Sequence, residues 1–88
     1  MAEFIVTFGP DHAERSGEPW RDSKGYAVLE SSSLLEAIHG AAKVFGEHYS
    51  MVRLPREISE DDLRRFFPRG EIARVTSPAP GLWTVKVH

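Results

Sequence analysis

Leu34, Leu35, Ile38, Ala41, Ala42 and Phe45 recur at the three-and-four spacing that draws one apolar stripe down a helix, with Glu36, His39, Lys43 and Glu47 off it. The pattern predicts a main helix over 33–46. Ser33 followed three residues later by Glu36 is a capping box: the serine oxygen accepts an orphan N-terminal N–H and the glutamate reaches back to the cap's own N–H. Gly46 supplies a stop that tolerates the left-handed backbone.

Around that helix the period changes from helical to alternating. Residues 3–8 are β-branched and aromatic and stop at Gly9-Pro10, which predicts a first strand with Phe4, Val6 and Phe8 on one face. Residues 9–24 hold no sustained period and predict a long loop, a length that in compact domains is usually either functional or mobile and makes this loop a candidate contact surface. A second strand over 25–30 follows, antiparallel to the first, and leads into the helix. Residues 49–54 alternate as a third strand ended by Pro55. Ser59 with Glu60, Asp61 and Asp62 opens a short second helix, in which Leu63, Phe66 and Phe67 are apolar and Pro68 ends the run. Arg69-Gly70 turns into a fourth strand over 71–76, a Pro- and Gly-rich turn occupies 77–81, and a fifth strand over 82–87 points Trp83, Val85 and Val87 at the core. The order β-β-α-β-α-β-β predicts an α+β fold: an antiparallel or mixed five-stranded sheet with the long helix packed on one face.

At 88 residues the chain fits a single domain over 1–88, because two halves would each be too small to bury a useful core. Hydrophobic content of 41% and charged content of 27% are ordinary for a folded globular chain. No apolar run approaches the roughly 20 residues that cross a bilayer, and the first residues carry an acid where a signal peptide carries bases, so a cytoplasmic location and no membrane partner are expected. Without cysteine, disulfides, thiolate nucleophiles and cysteine zinc sites are excluded. The net charge of −2 hides an uneven distribution: residues 1–50 hold four basic against eight acidic side chains, and residues 51–88 hold seven against five, six of the seven being arginine.

The usual catalytic residue types do not assemble into motifs. His12, His39, His48 and His88 match no metal-ligand spacing, and Asp11-His12 with Glu14 falls in the long loop. The Ser31–Ser33 run lacks a nucleophile elbow's glycines, and Ser33 is accounted for by the cap. Glu60, Asp61 and Asp62 lack the alternation of a calcium loop and suit a helix start. No enzyme activity, cofactor or metal is expected. The candidate partner-binding residues are Arg53, Arg56, Arg64, Arg65 and Arg69, whose planar forks suit carboxylates or phosphates, and Trp20 with Arg21, two types enriched in binding hot spots. The competing readings are ion pairing of the arginines with Glu57, Glu60, Asp61 and Asp62, and folding of Trp20 back over the core.

The run Gly25-Tyr26-Ala27-Val28-Leu29-Glu30 into three serines, then Glu36-Ala37 and a helix, Met51-Val52-Arg53-Leu54, and Gly81-Leu82-Trp83-Thr84-Val85 near the end, resembles small phage and mobile-element proteins, among them anti-CRISPR inhibitors of type I systems. The resemblance covers residues 25–54 and the last strand and rests on a general strand-cap-helix-strand cadence. It implies a non-enzymatic inhibitor that binds a CRISPR surveillance complex and blocks target DNA binding or nuclease recruitment. No functional motif of that family maps onto individual residues of this chain. The alternative is a nucleic-acid-binding accessory protein or small adaptor of phage or bacterial origin, which the basic second half favours and the acidic first half opposes.

Overall fold

The computed structural model describes residues 2–8, 24–46, 51–79 and 81–88. Five strands, β1 (Ala2–Thr7), β2 (Gly25–Ser31), β3 (Met51–Arg53), β4 (Gly70–Ala79) and β5 (Leu82–Val87), form one sheet in the order β3-β1-β2-β4-β5. Helix α1 (Leu34–Phe45) joins β2 to β3, and a 3-10 turn (Pro55–Glu57) and helix α2 (Glu60–Phe66) join β3 to β4. The expected α+β class and element order are observed. Strand order required the structure: β1 pairs antiparallel with both β2 and β3, β2 pairs parallel with β4, and β4 pairs antiparallel with β5.

The caps act where the side-chain chemistry puts them. Ser33 Oγ accepts from the Glu36 N–H at 3.2 Å, and Gly46, at φ +61°, closes α1 with its N–H on Ala42 O. The reciprocal half of the box is displaced: the Glu36 carboxylate accepts from the hydroxyls of Ser31 and Ser32, upstream of the cap. Ser31, a buried hydroxyl, is satisfied by this carboxylate at 3.3 Å and by Ser33 O at 3.2 Å.

One core lies between the sheet and α1. Phe4, Val6 and Phe8 of the first strand and its end, Ala27 and Leu29 of β2, and Ala73 and Val75 of β4 meet Ala37, Ala41 and Phe45 of the helix. Phe8 and Phe45 pack edge to face with ring centroids 5.2 Å apart. Trp83 and Val85 of β5 cover the flank of this core, but Val87, placed in it by alternation, is an exposed residue at the end of the outer strand.

The larger departure concerns α1. Of the six residues of its apolar stripe, Ala41 and Phe45 are buried, whereas Leu34, Leu35, Ile38 and Ala42 are exposed. The helix is rotated so that its small residues Ala37, Gly40 and Ala41 face inward. A Cβ on Gly40 would stand 2.6 Å from Trp83 Cη2, so the indole occupies the space that a larger side chain at position 40 would take. The helix thus approaches the sheet closely through small residues and Phe45, and leaves Leu34, Leu35 and Ile38 outside.

The opposite face of the sheet is not simply wet. Ile5, Thr7 and Val28 alternate with the core-facing residues and are buried on that side. Tyr26, on the same face, packs edge to face against Phe67 just beyond α2, with centroids 6.2 Å apart. Fourth-strand pairing runs longer than expected, to Ala79, with a register shift after Thr76.

Candidate interaction surfaces

Trp20, Arg21 and all of the 9–24 loop except Lys24 lie outside the described residues. Arg53 sits on edge strand β3 with Nε 2.9 Å from Met51 Sδ, and Arg56 sits in the 3-10 turn. Arg64 and Arg65 occupy the last turn of α2, where cations complement the helix dipole. Arg69 lies in the turn before β4, its N–H donating to Lys24 O at 3.0 Å. Among the described residues Arg64 pairs with Glu60 at 3.7 Å, with both side chains largely in water, so that pair contributes little. Arg65 instead lies over the Phe66 ring, 5.6 Å from its centroid. The expected local neutralisation therefore accounts for Arg64, while Arg53, Arg56 and Arg65 have no carboxylate partner among the described residues.

The arginine that the structure does tie down is Arg74, which sequence reasoning passed over. On the face opposite α1, its Nη1 donates to Glu3 Oε2 at 2.8 Å and Glu30 Oε2 at 3.0 Å. Its Nη2 donates to Glu71 Oε1 at 2.8 Å, and its Nε to Glu71 Oε2 at 3.2 Å. Glu3 and Glu30 are directly opposed in the β1–β2 register, a like-charge pair that a cation from the adjoining strand β4 resolves. Hydrogen bonds to Glu71, then to Glu3 and Glu30, push the Arg74 pKa further upward. Burial would raise the Glu71 pKa, but hydrogen bonds from Arg74 and His88 outweigh it and hold the carboxyl below its ordinary range. Burial, followed by the Glu71 charge, raises the Tyr26 hydroxyl. The cluster stitches β1, β2 and β4 together, and its groups saturate one another.

Two grooves flank α1 on the β5 side, and Gly81 and Trp83 line both. The first, about 390 Å³, is lined by Ser31, Ser32, Glu36 and His39 on one side and Ser77, Pro78, Ala79 and Gly81 on the other. Here the Ser32 hydroxyl, then the Ser32 backbone and Ser31, hold the exposed Glu36 carboxyl below its usual pKa. The second, about 380 Å³, runs between Lys43 and Val44 of α1 and Leu82, Trp83 and Val85 of β5. On the other flank of α1 the exposed Leu34, Leu35 and Ile38 make an apolar surface, Leu35 being 65% exposed. Among the described residues no group of three or more His, Cys, Asp or Glu side chains is arranged to hold a metal ion, and no helix is long and apolar enough to cross a membrane.

No protein-family model, curated protein or solved structure matches the chain.

Proposed function

We propose that this protein is a non-enzymatic binding domain that docks onto another protein through the apolar flank of α1, and that it acts as a stoichiometric inhibitor. The observation that carries the reading is the exposure of Leu34, Leu35 and Ile38 at 41%, 65% and 38% on a helix that buries small residues instead. Side by side on one helix, such side chains favour association with a complementary surface, because covering them removes apolar area from water. The arginines of β3, the 3-10 turn and α2 supply a second, charged contact surface that is suited to carboxylates. The resemblance to anti-CRISPR inhibitors makes a type I CRISPR surveillance complex the partner to test first, with target DNA binding or nuclease recruitment as the blocked step.

The test is capture of that complex by the tagged protein from cells carrying a type I system, with and without nuclease, beside an assay of interference. The expected result is nuclease-resistant capture that Leu35→Glu with Ile38→Glu abolishes while the melting temperature is preserved. Arg64→Glu with Arg65→Glu should weaken it less. Absence of capture and of inhibition in the wild type removes the CRISPR partner. Capture that nuclease abolishes favours the nucleic-acid alternative.

A further inference from the structure

The strand order ends on β5, and among the described residues no strand pairs with its outer side. The His88 N–H donates to Ile72 O at 3.1 Å, and Lys86 and Thr84 face Arg74 and Thr76 in the same register. Backbone groups alternate in direction along a strand, so those of Trp83, Val85 and Val87 point away from the sheet. The side chains of these same residues lie on the α1 side. Beside this edge, between it and α1, runs the groove of about 380 Å³ floored by Val44, Leu82, Trp83 and Val85, with Lys43 at its rim. On the other side of the strand stands the exposed Lys86. Neither Lys43 nor Lys86 has an ion-pair partner among the described residues.

We propose that the open edge of β5 and the groove between it and α1 accept an extended segment of a partner protein in which apolar and acidic side chains alternate. This rests on the protein-binding reading and adds to it a further surface, on the opposite flank of α1. An added strand satisfies the outward N–H and C=O groups at Trp83, Val85 and Val87 by main-chain hydrogen bonds, and its period of two sends successive side chains to opposite faces. Those turned toward α1 enter the apolar groove, and those turned away meet Lys86. Acidic residues at the second set complement Lys86, and the Lys43 ammonium at the groove's rim adds to the positive field that they approach. A second copy of this chain is a poor occupant, because β5 holds no acidic residue and would bring the same lysines to the contact.

The probe is an end-capped ten-residue peptide of alternating valine and glutamate, added to the full chain at up to millimolar concentration. Its controls are an alternating valine–lysine peptide and a peptide of the same valine and glutamate content arranged in two blocks. The valine–glutamate peptide should slow amide exchange at Val85 and Val87, and neither control should do so. Lys43→Glu with Lys86→Glu, with melting checked, should weaken its binding about tenfold and admit the valine–lysine peptide. Unprotected edge amides, equal binding of either control, or sedimentation as a dimer through β5 without peptide would each overturn the proposal. Cellular capture that survives the double lysine reversal, with no peptide binding, removes this site and leaves the protein-binding reading intact. Peptide binding without cellular capture leaves the site and removes the CRISPR partner.

Discussion

Helices α1 and α2 are both opened by a serine whose hydroxyl accepts the backbone N–H three residues on, Ser33 from Glu36 at 3.2 Å and Ser59 from Asp62 at 3.1 Å. Beyond the cap they diverge: α1 buries Ala37, Gly40, Ala41 and Phe45, whereas α2 buries none of its residues. A cap determines where a helix begins, and the surface that the helix removes from water determines how strongly it is coupled to the rest of the fold. The contrast is sharpest in the aromatic side chains, since Phe45 is 2% exposed and Phe66 is 58% exposed. The apolar residues that α1 leaves outside lie on a rigid, packed element, a better platform for a docking surface than a helix with no buried side.

The largest effect that would break this comparison is on the two phenylalanines. Phe45→Ala should cost about 3–5 kcal/mol in chemical denaturation through lost burial and the cavity left behind. Phe66→Ala should stay within about 0.5 kcal/mol, as an exposed position does. Equal losses would mean that α2 is as tightly integrated as α1.

Next in size is the close approach of α1 to the sheet. Gly40→Val pushes a branched side chain into the Trp83 ring, and the overpacking should destabilise by about 1–3 kcal/mol in thermal melts. An unchanged melting temperature would show that Trp83 can swing aside without loss.

The opposite face of the sheet should make stability depend on pH. Because Glu71 is held below its ordinary range in the folded state, its contribution is complete above the unfolded glutamate value of about 4.3 and is lost as pH falls through the lower folded value. Arg74→Met leaves Glu3, Glu30 and Glu71 without their shared cation. It should cost about 1–3 kcal/mol near neutrality, intermediate between exposed and buried pairs because the arginine is 33% exposed. Acidification, which neutralises the carboxylates, should narrow the gap between mutant and wild type. A gap that is constant from neutrality to pH 3 would remove the electrostatic role of the cluster.

The smallest effects separate the two caps. Ser33→Ala should lower global stability by about 1 kcal/mol. Ser59→Ala should act mainly as local fraying, visible as faster amide exchange in α2 with a shift in melting of at most about 0.5 kcal/mol. Similar shifts at both sites would mean that α2 unfolds together with the core.

Local chemistry made several features legible from the residues alone. The serine caps, the glycine at position 46 and the proline and glycine punctuation marked both helices, because capping is decided within four residues of chain. Alternation of Phe4, Val6 and Phe8 named the core face of β1, since side-chain direction in a strand has period two whatever it pairs with. What local periodicity could not settle was which flank of α1 turns inward. Leu34, Leu35 and Ile38 on one side and Ala37, Gly40 and Ala41 on the other are adjacent stripes, and the inward one packs its Gly40 against Trp83, an indole from the far end of the chain that stands where a Cβ at position 40 would go. The Arg74 cluster was hidden for the same reason: Glu3 and Glu30 are 71 and 44 positions away in the chain and come within reach only through the order β1-β2-β4. Strand order also left β5 at the edge, with no strand on its outer side among the described residues. Contacts between distant residues depend on closing long loops in one particular register, and a short-range pattern of side chains contains no term for that register.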